Sequence, residues 1–322
     1  MNKRLLNRRQ FSAICATLGL SLPAGAMLSH PSALAADVSA SAQAHPRTVE
    51  LPSGNIVPAI GQGSWHLGQG RHQAAVEEQA LRLGLSLGMR LIDTAENYGD
   101  GRSEELIGRV LAGMRDRVFL VTKVETYHTA GDAIARACEA SLARLNIDYL
   151  DLYLLHWPIP SNEFAGVVAA FEQLRAKGKI RAWGVSNFNV NQMEDLFRVP
   201  DGRHCATNQI PYSLKNRGIE RDLLPWCREH RVPVMAYSPL GGDNSPLVHD
   251  ATLTQIGAQH GCSAAAIALA WVIRNGNVLA IPEAGTPAHV KENAAALSAS
   301  LTLTPQELET LNAEYPGPFG AN

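Results

Sequence analysis

Cysteine is scarce in this chain, and what there is has no pairing pattern. Five occur in 322 residues, Cys15, Cys138, Cys205, Cys227 and Cys262, with no C-x-x-C among them. That excludes the common zinc and dithiol spacings. Cys138 lies four residues from Ile134 and from Leu142, and Cys227 four from Leu223, so both read as buried helix positions. The thiols are therefore expected to be free, although an oxidising compartment would permit bridges. Also missing are H-E-x-x-H, a G-x-S-x-G elbow and a P-loop, which argues against a zinc hydrolase, a serine hydrolase of that type and a Walker nucleotide site.

No basic stripe is present either. Lys and Arg total 28 against 30 Asp and Glu, a net charge of −2. Residues 1–35 hold four bases and no acids, so the remainder carries −6. Such an acidic domain argues against nucleic acid or an anionic membrane as partner. With 46% hydrophobic and 18% charged residues, the chain is rich enough to build a core and shows no sign of global disorder.

What the amino terminus does have is an ordered pattern. Lys3, Arg4, Arg8 and Arg9 precede a mildly apolar run from Phe11 to Leu28, and Ala33-Leu34-Ala35 supplies a small-residue exit. Arg8-Arg9 followed by Gln10-Phe11 resembles a twin-arginine export signal. Residues 1–35 are thus expected to be a cleaved signal, 36–47 a flexible linker and 48–322 the folded domain. The implied partner is the twin-arginine export machinery and the implied address the periplasm, or the cytoplasm if the signal is inactive. The run is near the minimum for a span, but its Gly, Ser, Thr and Pro23 make it a poor one, so no stable membrane anchor is expected after cleavage.

The domain opens with a short hairpin, in which TVEL and NIVP flank Pro52-Ser53-Gly54. Eight short apolar runs follow, at 58–63, 90–93, 118–123, 149–156, 180–186, 206–209, 232–238 and 278–283, with one helix-like segment between neighbours. AIARACEASLARL precedes the fourth run and AAIALAWVIR the eighth. This alternation implies right-handed βαβ units and a parallel sheet, and eight units fit a closed (β/α)8 barrel of the TIM type. A doubly wound dinucleotide fold would want G-x-G-x-x-G after the first strand. Here GQGSWH supplies Gly61 and Gly63 but His66 in the third position.

In such a barrel the chemistry sits at the carboxyl ends of the strands. LIDTAENY delivers Asp93 and Tyr98 there, and the following strands end at Lys123 and at His156-Trp157. A buried Asp93 asks for a cation, and Lys123 on the next strand is available. Tyr98 is a candidate proton donor whose pKa a neighbouring ammonium would lower, and His156 could donate a hydrogen bond to a carbonyl oxygen as charge develops. Glycoside hydrolysis would need two free carboxylates, and the rim supplies only Asp93 and Glu283.

These residues bring in a family. GQGSW (61–65), LIDTAENYGDGRSEELIG (91–108), TKV (122–124), LDLYLLHWP (151–158), GKIRAWGVSNF (178–188), NQIPYSL (208–214), AYSPL (236–240) and TPAHVKEN (286–293) resemble the aldo-keto reductases, which are NAD(P)H-dependent (β/α)8 barrels. The likeness is nearest to the bacterial methylglyoxal reductase-like branch. It implies reduction of small aldehydes or ketoaldehydes to alcohols, with Asp93, Tyr98, Lys123 and His156 as a catalytic tetrad. Gly63, Ser64, Trp65, Pro282 and His289 would lie along the cofactor, with Ser186, Asn187 and Gln209 on its carboxamide and Tyr237 stacked on the nicotinamide. Ser238 and Leu240 would lie along the pyrophosphate, and Glu292 and Asn293 by the adenine. Trp65 and Trp157 would line the substrate pocket.

Two departures stand out. Glu283 occupies the position where the family commonly has a lysine, and His289 one where an arginine often meets the 2′-phosphate. NADPH is the implied cofactor, with NADH admitted by these changes and Lys291 as a substitute phosphate ligand. No metal is implied, and a monomer is the default for this resemblance. The competing role is an exported nucleotide-binding or redox-sensing barrel with little turnover.

Overall fold

The computed structural model describes residues 47–318, so the leader, nearly all of the linker and Cys15 lie outside the described residues. A two-stranded antiparallel hairpin, β1 (Thr48–Glu50) and β2 (Ile56–Pro58), comes first, with the turn at Pro52 to Gly54 between its strands.

Eight parallel strands then follow in unbroken spatial order: β3 (Gln62–Gly63), β4 (Leu91–Asp93), β5 (Phe119–Val124), β6 (Leu150–Leu155), β7 (Ile180–Ser186), β8 (Asn208–Pro211), β9 (Val234–Tyr237) and β10 (Val278–Ala280). The first and last edges meet. Gly61 N donates to Ala280 O at 2.8 Å and Gly63 N to Pro282 O at 3.0 Å, which closes the sheet into a barrel. Closure needs a glycine at 63, because a Cβ there would stand 2.7 Å from the Ile281 carbonyl oxygen. The strands read as apolar runs because a parallel sheet is covered on both faces; β4 and β10 are buried at every residue.

Helices cover the outside: α1 (Ala74–Ser86), α2 (Arg102–Leu111), α3 (Ala133–Leu145), α4 (Phe164–Ala176), α5 (Val190–Arg198), α6 (Leu223–Glu229), α7 (Ala251–His260), α8 (Ala264–Val272), α9 (Pro287–Ala295) and α10 (Pro305–Glu314). The expectation of one helix per crossover fails before β10, where α7 and α8 both intervene. Gly261 at φ +65° ends α7, and Ser263 accepts from the Ala266 N–H to start α8, so one stretch of chain makes two helices. Every residue of α8 is buried.

The cysteines behave as packed side chains. Cys138, Cys205 and Cys227 are buried and free, Cys262 is half-buried and free, and burial pushes the first three thiols up to about 12. Among the described residues, no helix is long and apolar enough to cross a membrane.

Candidate active site

β4 ends in Asp93 and β5 presents Lys123, both without solvent contact in practice. A buried ammonium has three N–H groups to satisfy. Lys123 Nζ donates all three: to Asp93 Oδ2 at 2.8 Å, to the Thr94 carbonyl at 2.8 Å and to Tyr98 Oη at 3.1 Å. Burial opposes the Lys123 charge, yet Asp93 and Tyr98 outweigh it and hold its pKa above the ordinary lysine value. Because Lys123 donates to the phenol oxygen, Tyr98 must aim its own O–H elsewhere, and its ring lines a cavity.

The lowered pKa expected for Tyr98 is not found. Burial pushes the phenol above its usual range, and the attraction of Lys123 recovers only part of that. Tyr98 therefore keeps its proton through neutral pH, the state a proton donor needs.

His156 follows β6 and faces Tyr98 edge-on, with ring centroids 5.9 Å apart, while Trp157 stacks on it at 5.7 Å. Burial, reinforced by the charge of Lys123, pushes the imidazole down to about 3, so it is neutral at physiological pH. Its Nδ1 lies 2.6 Å from Glu125 Oε1.

The cavity over these residues measures about 1290 Å³. Its wall takes in Gly63, Ser64, Trp65, Asp93, Tyr98, His156, Trp157, Ser186, Asn187, Gln209, Tyr237, Ser238, Leu240, Pro282, Glu283, His289, Glu292 and Asn293, so every candidate residue but two reaches one space. Lys123 lies beneath Tyr98, and Lys291 is exposed and outside the wall. Among the described residues, no lysine or arginine lines the cavity; His66, His156, His249 and His289 do.

Several wall residues are already engaged. Ser64 Oγ donates to the Asp93 carbonyl at 2.8 Å and is turned inward. Gln209 Nε2 donates to Asp93 Oδ1 at 2.7 Å. Asn187 Nδ2 donates to the His156 carbonyl, and Tyr237 Oη donates to Asn187 Oδ1 at 3.0 Å. Asn187 at φ +65° and Ser238 at φ +46° hold left-handed backbone at the ends of β7 and β9, a strain that concentrates at functional sites.

Glu283 is not a free acid beside the cavity. It accepts from His66 N at 2.8 Å and meets His66 Nδ1 at 3.1 Å; Asp243 lies 3.5 Å from His66 Nε2 and 3.2 Å from Arg71. This chain of polar contacts ties together the loops after β10, β3 and β9. Sequence reasoning missed His66, Asp243 and Glu125. For Glu125 a signal existed: it ends the apolar run of β5, as Asp93 ends that of β4.

The sequence matches the profile of the Aldo/keto reductase family over residues 59–315. The chain belongs to the aldo/keto reductase family. It is 50% identical over 272 residues to methylglyoxal reductase YeaE of Escherichia coli, spanning 83% of this chain and 95% of that one. Among solved structures, an aldo/keto reductase of Klebsiella pneumoniae in complex with NADP and acetate superposes with a TM-score of 0.81 at 47% identity, covering 86% of this chain and 98% of that one. The thermostable aldo-keto reductase Tm1743, in complex with the inhibitor epalrestat, gives 0.74 at 34% identity over 83% and 98%. This reductase is thus an oxidoreductase built on the (β/α)8 barrel that its sequence implied.

Proposed function

We propose that the protein is an NADPH-dependent reductase of small aldehydes and ketoaldehydes of the methylglyoxal kind, with Asp93, Tyr98, Lys123 and His156 as its catalytic group. The observation that carries this is the single buried ammonium of Lys123 touching both Asp93 and Tyr98 at the floor of a large cavity. The cavity fits a dinucleotide in size, its polar wall at Ser186, Asn187 and Gln209 suits an amide, and the half-buried ring of Tyr237 presents a flat aromatic surface. The Klebsiella relative, with NADP in its site, supports the choice of cofactor.

When bound, NADPH supplies the hydride that reduces the carbonyl carbon. Tyr98 gives its proton to the carbonyl oxygen as charge builds there, and the adjacent ammonium of Lys123 stabilises the phenolate left behind. Asp93 fixes Lys123 in place. His156, neutral and facing Tyr98, donates a hydrogen bond to the same oxygen. Trp65 and Trp157, about half exposed at the mouth, bracket a small substrate.

Residues 1–35 act, in this reading, as a twin-arginine signal that carries the folded barrel, with its nucleotide bound, to the periplasm, and residues 36–47 as the linker to it. The order of bases, apolar run and Ala33-Leu34-Ala35 supports this. Replacing Arg8 and Arg9 by lysine should retain the protein in the cytoplasm; an unchanged distribution on fractionation contradicts export by this route. For the enzyme itself the test is NADPH oxidation by residues 36–322 with methylglyoxal. Steady turnover supports the assignment, and none, in protein that still binds nucleotide, opposes it.

A further inference from the structure

A nicotinamide dinucleotide carries its charge on phosphates, and the wall of this cavity offers them no permanent cation. Among the described residues it holds no lysine or arginine, while four acids reach it: Asp93, Asp243, Glu283 and Glu292. Lys123 answers Asp93 from below at 2.8 Å, and Arg71 answers Asp243 from outside the wall at 3.2 Å. Glu283 and Glu292 have no lysine or arginine partner among the described residues. Only histidine can bring positive charge to this surface.

The four histidines of the wall differ in what holds them. His156 is buried and kept neutral, and His66 stands between Glu283 at 3.1 Å and Asp243 at 3.5 Å, so any charge it gains is spent on two acids. His249 and His289 are exposed on the wall, and among the described residues neither is paired with an acid. His289 is the third residue of α9, in the first turn, where the helix dipole also favours an anion. His249 ends the short helical turn Pro246–His249 in the loop after β9. The charged groups sharing the wall with them are Glu292, Glu283, Asp243, His66 and the paired Asp93. Off the wall, Lys291 lies two residues further along α9, and a Cβ on Gly285 would stand 2.4 Å from the His72 ring.

We propose that His249 and His289 are the cations that receive the phosphates of the nucleotide, each taking a proton from solvent as it does so, which couples cofactor binding to proton uptake. This inference rests on the NADPH reading above. An imidazole touching a phosphate has its pKa raised, because the charged form is favoured there. Affinity gained in this way is complete below the range of a free histidine and is lost as pH rises through the raised range. Lysine or arginine in the same places would stay charged throughout. The reductase therefore holds its nucleotide tightly near pH 6.5 and loosens its hold as pH climbs past about 8.

The test is binding of NADPH to the purified full chain, by fluorescence titration from pH 6.5 to 8.5 and by calorimetry at pH 7.5 in buffers of different ionisation heat, which counts protons. At pH 7.5 the 2′-phosphate is already almost wholly a dianion, so the protons counted belong to the protein. The expected wild-type result is a Kd that rises about fivefold or more across the range, with roughly half a proton or more taken up per NADPH. The double variant His249→Gln/His289→Gln should bind weakly at pH 6.5 and lose both the pH dependence and the uptake. His289→Arg should keep at pH 8.5 the tight binding that the wild type loses. A flat wild-type Kd without proton uptake, or uptake undiminished in the double variant, overturns the proposal. The wild-type measurements need no variant to fold. No binding of NADPH at any pH would overturn the cofactor reading itself and this inference with it, whereas binding that ignores pH overturns only the claim about the histidines.

Discussion

Gln209 Nε2 donates to Asp93 Oδ1 at 2.7 Å from the opposite side of the barrel, so the carboxylate that anchors Lys123 through one oxygen is itself anchored through the other. Replacing Gln209 by leucine leaves that oxygen buried without a donor. The expected cost is about 1–3 kcal/mol, read as a lower urea midpoint with an unchanged slope. An unshifted midpoint would show that Asp93 finds another partner.

Lys123→Met strands a buried acid. A broken buried ion pair costs about 3–5 kcal/mol, and neutralising the partner recovers much of it. Urea unfolding should therefore find Asp93→Asn/Lys123→Met more stable than Lys123→Met alone. Equal stabilities would mean that Asp93 is already uncharged in the fold.

Cofactor choice is predicted to depend on Glu283. Among the described residues the cavity wall has no lysine or arginine, and the Glu283 carboxylate is held by His66. Glu283→Lys should raise the NADPH to NADH ratio of kcat/KM by about fivefold or more, since unlike charges within a few Å attract by at least about 1 kcal/mol. An unchanged ratio would place Glu283 away from the 2′-phosphate.

Trp65 and Trp157 flank the mouth and touch none of the tetrad's proton-transfer contacts, apart from the stacking of Trp157 on His156. Trp65→Ala should raise KM for the carbonyl by about threefold to tenfold with kcat little changed, the signature of lost binding common to ground and transition states. Trp157→Ala should also lower kcat, because the His156 ring loses its support. Equal effects on kcat from both would contradict the distinction.

Much of the barrel was legible because parallel strands buried on both faces leave bare apolar runs, and β7 at Ile180–Ser186 matches its run residue for residue. β3 and β10 are harder to read: they are short, and their pairing is completed by bridges at Gly63 and Ala280 that depend on closure. The α7–α8 break rests on Gly261 and Ser263, two positions apart. At the site, the candidate residues and the Asp93–Lys123 pair could be named from strand ends, but the more distant partners could not. Gln209 reaches Asp93 across the barrel, and Glu283 meets His66 more than two hundred residues away, distances that no local pattern encodes. The direction of the Tyr98 shift was also hidden, since it is set by how deeply the ring is buried and not by which charge stands beside it.

The central claim is that Tyr98 is the proton donor. Its most direct test is single-site: Tyr98→Phe removes one hydroxyl and keeps the ring, measured by kcat for methylglyoxal reduction alongside NADPH affinity by fluorescence titration. A fall in kcat of about 10²–10⁴ with nucleotide affinity retained is the predicted result. Turnover within a few fold of wild type would contradict it and move the proton source elsewhere in the cavity.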